Sequence, residues 1–354
     1  MTSVDTCSVS DERARSGPNR RVPIRVLAVA ATCAAIATLV TGCISVQLGG
    51  LQRSDLEETT VRGRSGPKIL LLEIDGVITE HERIGLLDGT RESTVARVVE
   101  QLDRAREDDD VRAVLLRVDS PGGSASASDD VYRALLAFKQ ERGLPMVAQF
   151  MGLAASGGYY VAMASDEIRA VPTSVTGSIG VLFMGISFEG LMEKLGVTDQ
   201  TVTGGEHKDA GSFLRDMTPE EQAHMQSVVD DLHDRFKTVV AAGRPKLDTE
   251  AIAAAADGRV YSAPQALELG LIDGISPIED TTRDLARMAG IGEKYRVVSY
   301  HRAHEYRNNL HTREPQAPPQ TSAGAGARGD WSALLDASGL AQPGFHYLWW
   351  PAAR

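Results

Sequence analysis

An alternation of apolar runs and helical patterns constrains the fold of this chain most strongly. Residues 68–78 (KILLLEIDGVI) form an apolar run with a glycine near its end, as expected of a buried strand. Residues 94–106 carry apolar side chains at helical spacing, and residues 111–118 and 145–151 are two further apolar runs. Strands that alternate with helices, with glycine-rich turns at the strand ends, predict a mostly parallel α/β domain with active groups on the loops after the strands.

A long helix is predicted in the second half of the chain. Thr218 is a favourable helix cap, Pro219 suits the first helical position and Glu221 completes a capping box, so a helix is expected over residues 218–243. Short elements are predicted on both sides of it: strands at 167–172, 178–183 and 200–203, and helices at 188–195 and 249–256.

The N-terminus has the pattern of an export segment. A polar stretch over residues 1–25 ends in a cluster of arginines, and residues 26–41 (VLAVAATCAAIATLVT) then carry no charge. A basic region before an apolar one is typical of a secretory signal. The run closes as Val-Thr-Gly-Cys, which resembles a bacterial lipobox, so Cys43 is the predicted lipidation site and residues 1–42 are expected to be removed.

An uncleaved membrane anchor is the alternative, because the apolar run extends to about Val46 and a span needs roughly 20 apolar residues. A buried core helix is the ordinary explanation of such a run, but this segment has no polar face. Both export interpretations leave the arginines in the cytoplasm and the rest of the chain outside it. We therefore expect a bacterial membrane-anchored protein, held by residues 1–43, with the body of the chain on the periplasmic side.

Composition excludes several classes of function. The formal net charge of -11 argues against nucleic acid as the main partner, which would require a basic patch. All three cysteines precede residue 44, so the body can hold neither a disulfide framework nor a cysteine metal site.

After the anchor we expect a linker over residues 44–67, a folded domain over 68–300 and a flexible tail over 301–354.

The predicted tail has two parts of opposite composition. Residues 314–342 are rich in Pro, Ala, Gly and Ser, which is typical of disorder. Residues 344–351 (GFHYLWWP) are dense in aromatic side chains. This end is compatible with a patch docked on the domain's own surface and equally with a segment placed in a neighbour's groove.

One hydroxyl stands out inside the domain. Residues 151–160 (MGLAASGGYY) surround Ser156 with small side chains, and Gly157 and Gly158 allow other backbone to approach it closely. A serine nucleophile needs a base, yet none of the eight histidines has a recognisable Ser-His-Asp context and no Gly-x-Ser-x-Gly elbow is present. The alternative is the glycine-flanked Lys208, because burial can lower a lysine pKa from roughly 10.4 toward 7–8.

Each feature has an ordinary structural explanation when it is taken alone. Ser156 among small residues is compatible with close helix packing, and Lys208 with a solvated loop. The SPGG sequence at residues 120–123 is compatible with a tight turn, and Ser178 with a capping hydroxyl. Their joint occurrence favours catalysis.

Together these motifs resemble bacterial signal peptide peptidase A, also called protease IV. The shared features are the serine stretch, SPGG at 120–123, TGSIGV at 176–181, the glycine-flanked Lys208 and GRVYSAPQALELGLIDGI at 258–275. The resemblance covers about residues 68–290 and is to the short, single-domain form of the family.

The resemblance implies a fold, a set of roles and an assembly. The family fold is the α/β fold of the Clp protease and crotonase superfamily, built of repeated ββα units, here with a helical C-terminal portion. By position, Ser156 is the nucleophile, Lys208 the general base, Ser178 the hydroxyl that orients the lysine, and Gly123 an oxyanion-hole N–H donor. Short members assemble into a homo-oligomeric ring, and the serine and lysine of one site can come from adjacent subunits.

The resemblance therefore implies a membrane-tethered serine endopeptidase with a Ser-Lys dyad that degrades remnant signal peptides and other unfolded, membrane-associated chains, without a metal or cofactor. A crotonase-like acyl-CoA enzyme is the second hypothesis, although export separates the domain from cytoplasmic CoA; activity on a thioester but not on peptides would favour it. A non-catalytic ring-forming scaffold or inhibitor-binding protein is the third. Failure of a fluorophosphonate probe to label Ser156 in an intact assembly would favour the scaffold.

Overall fold

The computed structural model describes residues 55–85, 89–302, 309–312 and 345–349. The predicted signal or anchor, with Cys43, and the Pro/Ala/Gly/Ser-rich part of the tail lie outside these residues. Within the described part of the chain, no helix has the length and apolar character that a bilayer span requires.

The described residues form strands and helices in a mixed order. The strands are β1 (Leu56–Arg62), β2 (Lys68–Ile78), β3 (Arg83–Gly85), β4 (Gly89–Arg91), β5 (Val111–Ser124), β6 (Met146–Ala155), β7 (Glu167–Ala170), β8 (Val175–Gly177), β9 (Leu182–Phe183), β10 (Val260–Ser262), β11 (Gly274–Ile275), β12 (Arg296–Arg302) and β13 (Phe345–Leu348). The helices are α1 (Thr94–Arg106), α2 (Ala125–Arg142), α3 (Gly157–Ala162), α4 (Glu189–Leu195), α5 (Pro219–Gly243), α6 (Thr249–Ala255), α7 (Ala263–Glu268) and α8 (Ile278–Met288).

One large sheet organises the domain. Its main path runs β1-β12-β2-β5-β6-β7-β11, and every pair on it is parallel except β1 with β12. Successive side chains of β2 enter different cores: Leu70 and Leu72 pack in the cluster that includes helix α2, and Ile69 and Leu71 in the cluster that includes α8. This alternation, with helices on both faces, is expected of a buried parallel sheet and confirms the predicted α/β class.

Several predicted elements are confirmed where local pattern and burial agree. Strand β2 and helix α1 occupy the predicted residues. Helix α5 begins with the expected capping box, in which the Thr218 hydroxyl accepts from the Glu221 N–H and the Glu221 carboxylate accepts from the Thr218 N–H. That cap places the start of α5 directly after the loop that carries Lys208.

The SPGG sequence is not the tight turn that its residues suggested. Strand β5 continues through it to Ser124, because Gly122 and Gly123 pair with β2 on one side and with β13 on the other. The predicted strand at 200–203 is also wrong, since those residues form no regular element. Residues 178–183 contribute only the two-residue strand β9.

The folded region extends beyond its predicted limits at both ends. Strand β1 lies within the predicted linker 44–67 and pairs with β12, so the chain is already part of the sheet at Leu56. Strand β13 lies within the predicted flexible tail, yet it pairs with both β5 and β9. The aromatic end is therefore a component of the domain.

Candidate active site

Ser156 alone forms the sharp connection between β6 and α3. Its backbone has φ 52° and ψ -116°, and its N–H donates to Gly177 O at 2.8 Å. Among the described residues, Ser156 and Ser178 are the two non-glycine residues with positive φ. A strained serine between a strand and a helix is the geometry of a nucleophile elbow, reached here without its sequence motif. Strain of this kind, about 1–3 kcal/mol for each residue, concentrates at functional sites.

Ser178 lies beside Ser156 at the end of a neighbouring strand. Strand β8 runs parallel to β6 with Gly177 opposite Ala155, so the two serines follow directly after paired residues. Ser178 has φ 50°, and its N–H donates to Arg259 O at 2.7 Å. The backbone pairing therefore brings the two predicted site serines together.

The Ser156 hydroxyl is buried but makes no hydrogen bond to another described residue. The residue is 1% exposed, and its Oγ has no hydrogen-bond partner among the described residues. A buried polar atom without a partner costs about 1–3 kcal/mol, so such an atom calls for an explanation, of which a catalytic role is one. Ser156 Oγ is therefore not engaged by any other group of the described residues.

Close backbone approach explains the glycines on both sides of the site. A methyl group on Gly122 would lie 2.7 Å from Gly157 N, and one on Gly158 would lie 2.8 Å from Ser120 O. The Ser120 hydroxyl accepts a hydrogen bond from the Gly122 N–H at 3.0 Å, within the SPGG part of β5. The expected close approach at Gly157 and Gly158 is confirmed, and the strand that carries Gly123 lies directly against the serine turn.

No hydrogen bond joins Lys208 to the Ser156 hydroxyl among the described residues. Lys208 is exposed on the loop between α4 and α5, and its own N–H donates to Gly205 O at 3.2 Å. Asp209, the next residue, forms an ion pair with Arg215, whose Nε lies 2.7 Å from Asp209 Oδ2. Another nitrogen of Arg215 lies 2.6 Å from Glu221 Oε1. This contact with Arg215 lowers the pKa of Glu221 to about 2. The loop is thus anchored to the start of α5 with its lysine facing outward.

Comparison with known proteins supplies the family. The profile of peptidase family S49 matches residues 138–292, and that of the Clp protease family matches residues 71–176. A protein of Synechocystis that is named as a protease is 37% identical over 224 residues, which are 63% of this chain and 75% of that protein. The chain belongs to peptidase family S49.

Two further relatives bear out the resemblance to signal peptide peptidase A. An Enterococcus faecium protein that bears the name signal peptide peptidase SppA is 39% identical over 231 residues, 65% of this chain and 66% of that protein. Protease 4 of Salmonella typhi is 36% identical over 189 residues, 53% of this chain and 30% of that longer protein. The Clp protease match confirms the Clp- and crotonase-like fold, and the family supports a serine-type peptidase.

Sequence reasoning did not place the aromatic end of the chain at this candidate site. Strand β13 pairs with residues 122–124, and the Tyr347 ring stacks on Tyr160 with centroids 5.1 Å apart. The interpretation that the aromatic end docks on its own domain is confirmed, because β13 pairs with β5 and β9 of the same chain. Its position beside the Ser156 turn was not predicted. The density of aromatic side chains in residues 344–351 indicated that this segment docks on a protein surface. The local sequence does not indicate which surface that is.

Proposed function

We propose that the chain is a membrane-tethered serine endopeptidase that uses Ser156 and Lys208 as a dyad. The observation that carries the proposal is the buried, unpartnered hydroxyl of Ser156 on a strained turn against the SPGG strand. Ser156 Oγ attacks a peptide carbonyl while Lys208 takes its proton, and Ser178 orients the lysine. The Gly123 N–H stabilises the tetrahedral oxyanion. Protonated Lys208 then donates to the leaving amine, and water hydrolyses the acyl-enzyme.

In this proposal the base comes from a neighbouring copy in a homo-oligomeric ring. Residues 186–213, which include Lys208, expose several apolar side chains. Helix α4 lies within this segment and has no buried residue. The exposed members are Ile186, Phe188, Leu191, Leu195, Val197, Val202 and Phe213. A concentrated apolar surface of this kind marks an interaction site. A second copy that covers this surface would exclude water from Lys208, and burial is what lowers a lysine pKa toward the value that a base needs.

The proposed substrates are remnant signal peptides and other unfolded, membrane-associated chains. The name of the Enterococcus relative supports this substrate class. The export pattern of residues 26–43 supports a tether with the domain outside the cytoplasm. Intact mass of the membrane-extracted protein tests the tether: loss of residues 1–42 with a lipid on Cys43 is expected, and an unmodified Cys43 on a full-length chain would exclude lipidation.

Single-turnover cleavage of an unstructured peptide tests the dyad. Ser156→Ala and Lys208→Ala should each lower the rate by about a thousand-fold or more, because the two residues act as one unit. Lys194→Ala is the matched control, since Lys194 is an exposed lysine of α4 in the same segment. A wild-type rate in either dyad variant would exclude the mechanism. Fluorophosphonate labelling of Ser156 distinguishes a peptidase from a scaffold.

A further inference from the structure

Asp129 of helix α2 binds side chains from two other helices. Its Oδ1 accepts a hydrogen bond from the Tyr160 hydroxyl at 2.6 Å and another from an Arg235 nitrogen at 2.8 Å. Its Oδ2 lies 3.0 Å from Arg133 of the same helix. Tyr160 belongs to α3, which begins directly after Ser156, and Arg235 belongs to α5. One carboxylate on α2 therefore ties the helix that follows the nucleophile to α5.

Helix α5 packs against the domain mainly through its last turns. Its buried residues there are Phe236, Val239 and Val240. The Phe236 ring contacts Tyr160 with centroids 4.9 Å apart. Glu221 is buried at the other end of the helix, and none of the α5 residues between Glu221 and Phe236, all of which the structure describes, is buried. Asp129 thus binds α5, through Arg235, at the point where the helix leaves the core.

The first turn of α5 holds the loop that carries Lys208. Arg215 bridges Asp209, the neighbour of Lys208, and Glu221 of α5. At roughly 1.5 Å per residue, about 21 Å of helix separates Glu221 from Arg235. A tilt of about 10° where α5 meets the core would therefore displace its first turn by about 4 Å. Proton transfer needs the base within about 2.6–3.2 Å of its partner, so the direction of α5 limits where Lys208 can act.

We infer that Asp129 is a positioning residue that couples adjacent sites of the proposed ring, because it fixes α3 behind Ser156 of its own site and α5, which carries Lys208 to the neighbouring site. This inference rests on the proposed function, since it requires that Lys208 serves another copy. A change at Asp129 then impairs two sites: the one that contains Ser156 of the same chain and the one that receives its Lys208.

Single-turnover peptide cleavage in mixed assemblies separates these two effects. In a mixture of Lys208→Ala and Ser156→Ala chains, a complete site takes its serine from the first chain and its lysine from the second. Asp129→Ala is added to the serine-supplying chain in one mixture and to the lysine-supplying chain in another. Each mixture should lose about ten-fold in rate constant, since a misplacement of about 1 Å can cost about a hundred-fold.

Arg235→Gln distinguishes positioning from a general loss of stability. It removes the charge that binds α5 to Asp129 and leaves the hydrogen bond from Tyr160 in place. The rate should fall when Arg235→Gln is on the lysine-supplying chain and stay within about two-fold on the serine-supplying chain. A variant that only destabilised the fold would lower the rate in both placements.

Asp130→Ala is the matched control for Asp129→Ala. Asp130 is the next residue of α2, and its Oδ1 lies 2.6 Å from Arg133 within the same helix. Both placements of Asp130→Ala should keep the rate within about two-fold. An effect of Asp129→Ala confined to the serine-supplying chain would overturn the coupling, and so would an equal loss with Asp130→Ala.

Hydrogen exchange of the full-length Ser156→Ala protein tests the contact with α5 without catalysis. Adding Asp129→Ala should speed exchange of the α5 amides about five-fold or more, because local opening becomes less costly when a helix loses a tertiary contact. Unchanged exchange would overturn the role of Asp129 in holding α5. Absence of cleavage in the mixture without further changes would refute the shared site and the coupling between copies, whereas the exchange result still decides whether Asp129 holds α5.

Discussion

Gly122 connects three parts of the site: the SPGG strand, the turn after Ser156 and strand β13. Its φ of 99° lies where side chains are strained, and an added methyl would lie 2.0 Å from Tyr347 O and 2.7 Å from Gly157 N. The backbone conformation costs a residue with a side chain about 1–3 kcal/mol, and displacement of packed neighbours typically costs about 1–3 kcal/mol more. Gly122→Ala should therefore lower the free energy of unfolding by about 2–6 kcal/mol.

Gly143→Ala is the matched control for this substitution. Gly143 also has a positive φ, 61°, but nothing lies within 4 Å of an added methyl, so the cost is confined to the left-handed backbone, about 1–2 kcal/mol. Denaturant unfolding followed by circular dichroism gives both values, and fluorophosphonate labelling of Ser156 in the folded protein reports on the site. Equal destabilisation by the two variants, with unchanged labelling after Gly122→Ala, would refute close packing of β5 against the serine turn.

Three further changes test other parts of the structure. Glu73→Gln removes the ionic partner of the buried Arg117 and should destabilise the chain by about 3–5 kcal/mol in denaturant unfolding; a change under about 0.5 kcal/mol, typical of a surface site, would contradict the pairing. The pKa of Glu221 is lowered from 4.5 to about 2, so its contribution to stability is complete above pH 4.5 and is lost as the pH falls toward 2. Glu221→Gln should flatten the dependence of the unfolding free energy on pH in this window, and parallel pH profiles of the variant and the wild type would refute the role of the ion pair. Leu191→Asp on the exposed face of α4 should dissociate the proposed ring in light scattering, whereas Leu267→Asp, at a leucine that is also exposed, should not; equal behaviour of the two variants would move the interface elsewhere.

The fold was predictable where the local pattern and the tertiary setting agree. The apolar run of β2 is buried at the predicted residues, and the capping box of Thr218 starts α5 as expected. It was not predictable at residues 120–123, because the SPGG sequence favours a turn locally but pairs with β13 from the far end of the chain. The strand predicted at 200–203 failed for the opposite reason: Val202 is 95% exposed, and β-branched residues alone do not form a strand without a partner.

The candidate site was predictable as a set of residues but not as a geometry. Co-occurring motifs indicated Ser156, Ser178 and the SPGG strand, and backbone pairing brings these three together. The two serines with positive φ follow directly after the paired ends of β6 and β8, and their residue type does not mark this conformation in the sequence. The position of Tyr347 depends on a strand that joins from a distant part of the sequence.

Mixing two inactive variants tests whether Lys208 of one copy acts on Ser156 of another. Ser156→Ala and Lys208→Ala are co-assembled, and single-turnover peptide cleavage is measured on assemblies that contain both. If Lys208 of one copy serves Ser156 of another, about a quarter of the sites in a randomly mixed 1:1 assembly regain both groups, so activity returns to that order. Ser156→Ala mixed with the Ser156→Ala/Lys208→Ala double variant should remain inactive. Absence of activity in a verified mixed assembly would contradict a site shared between copies.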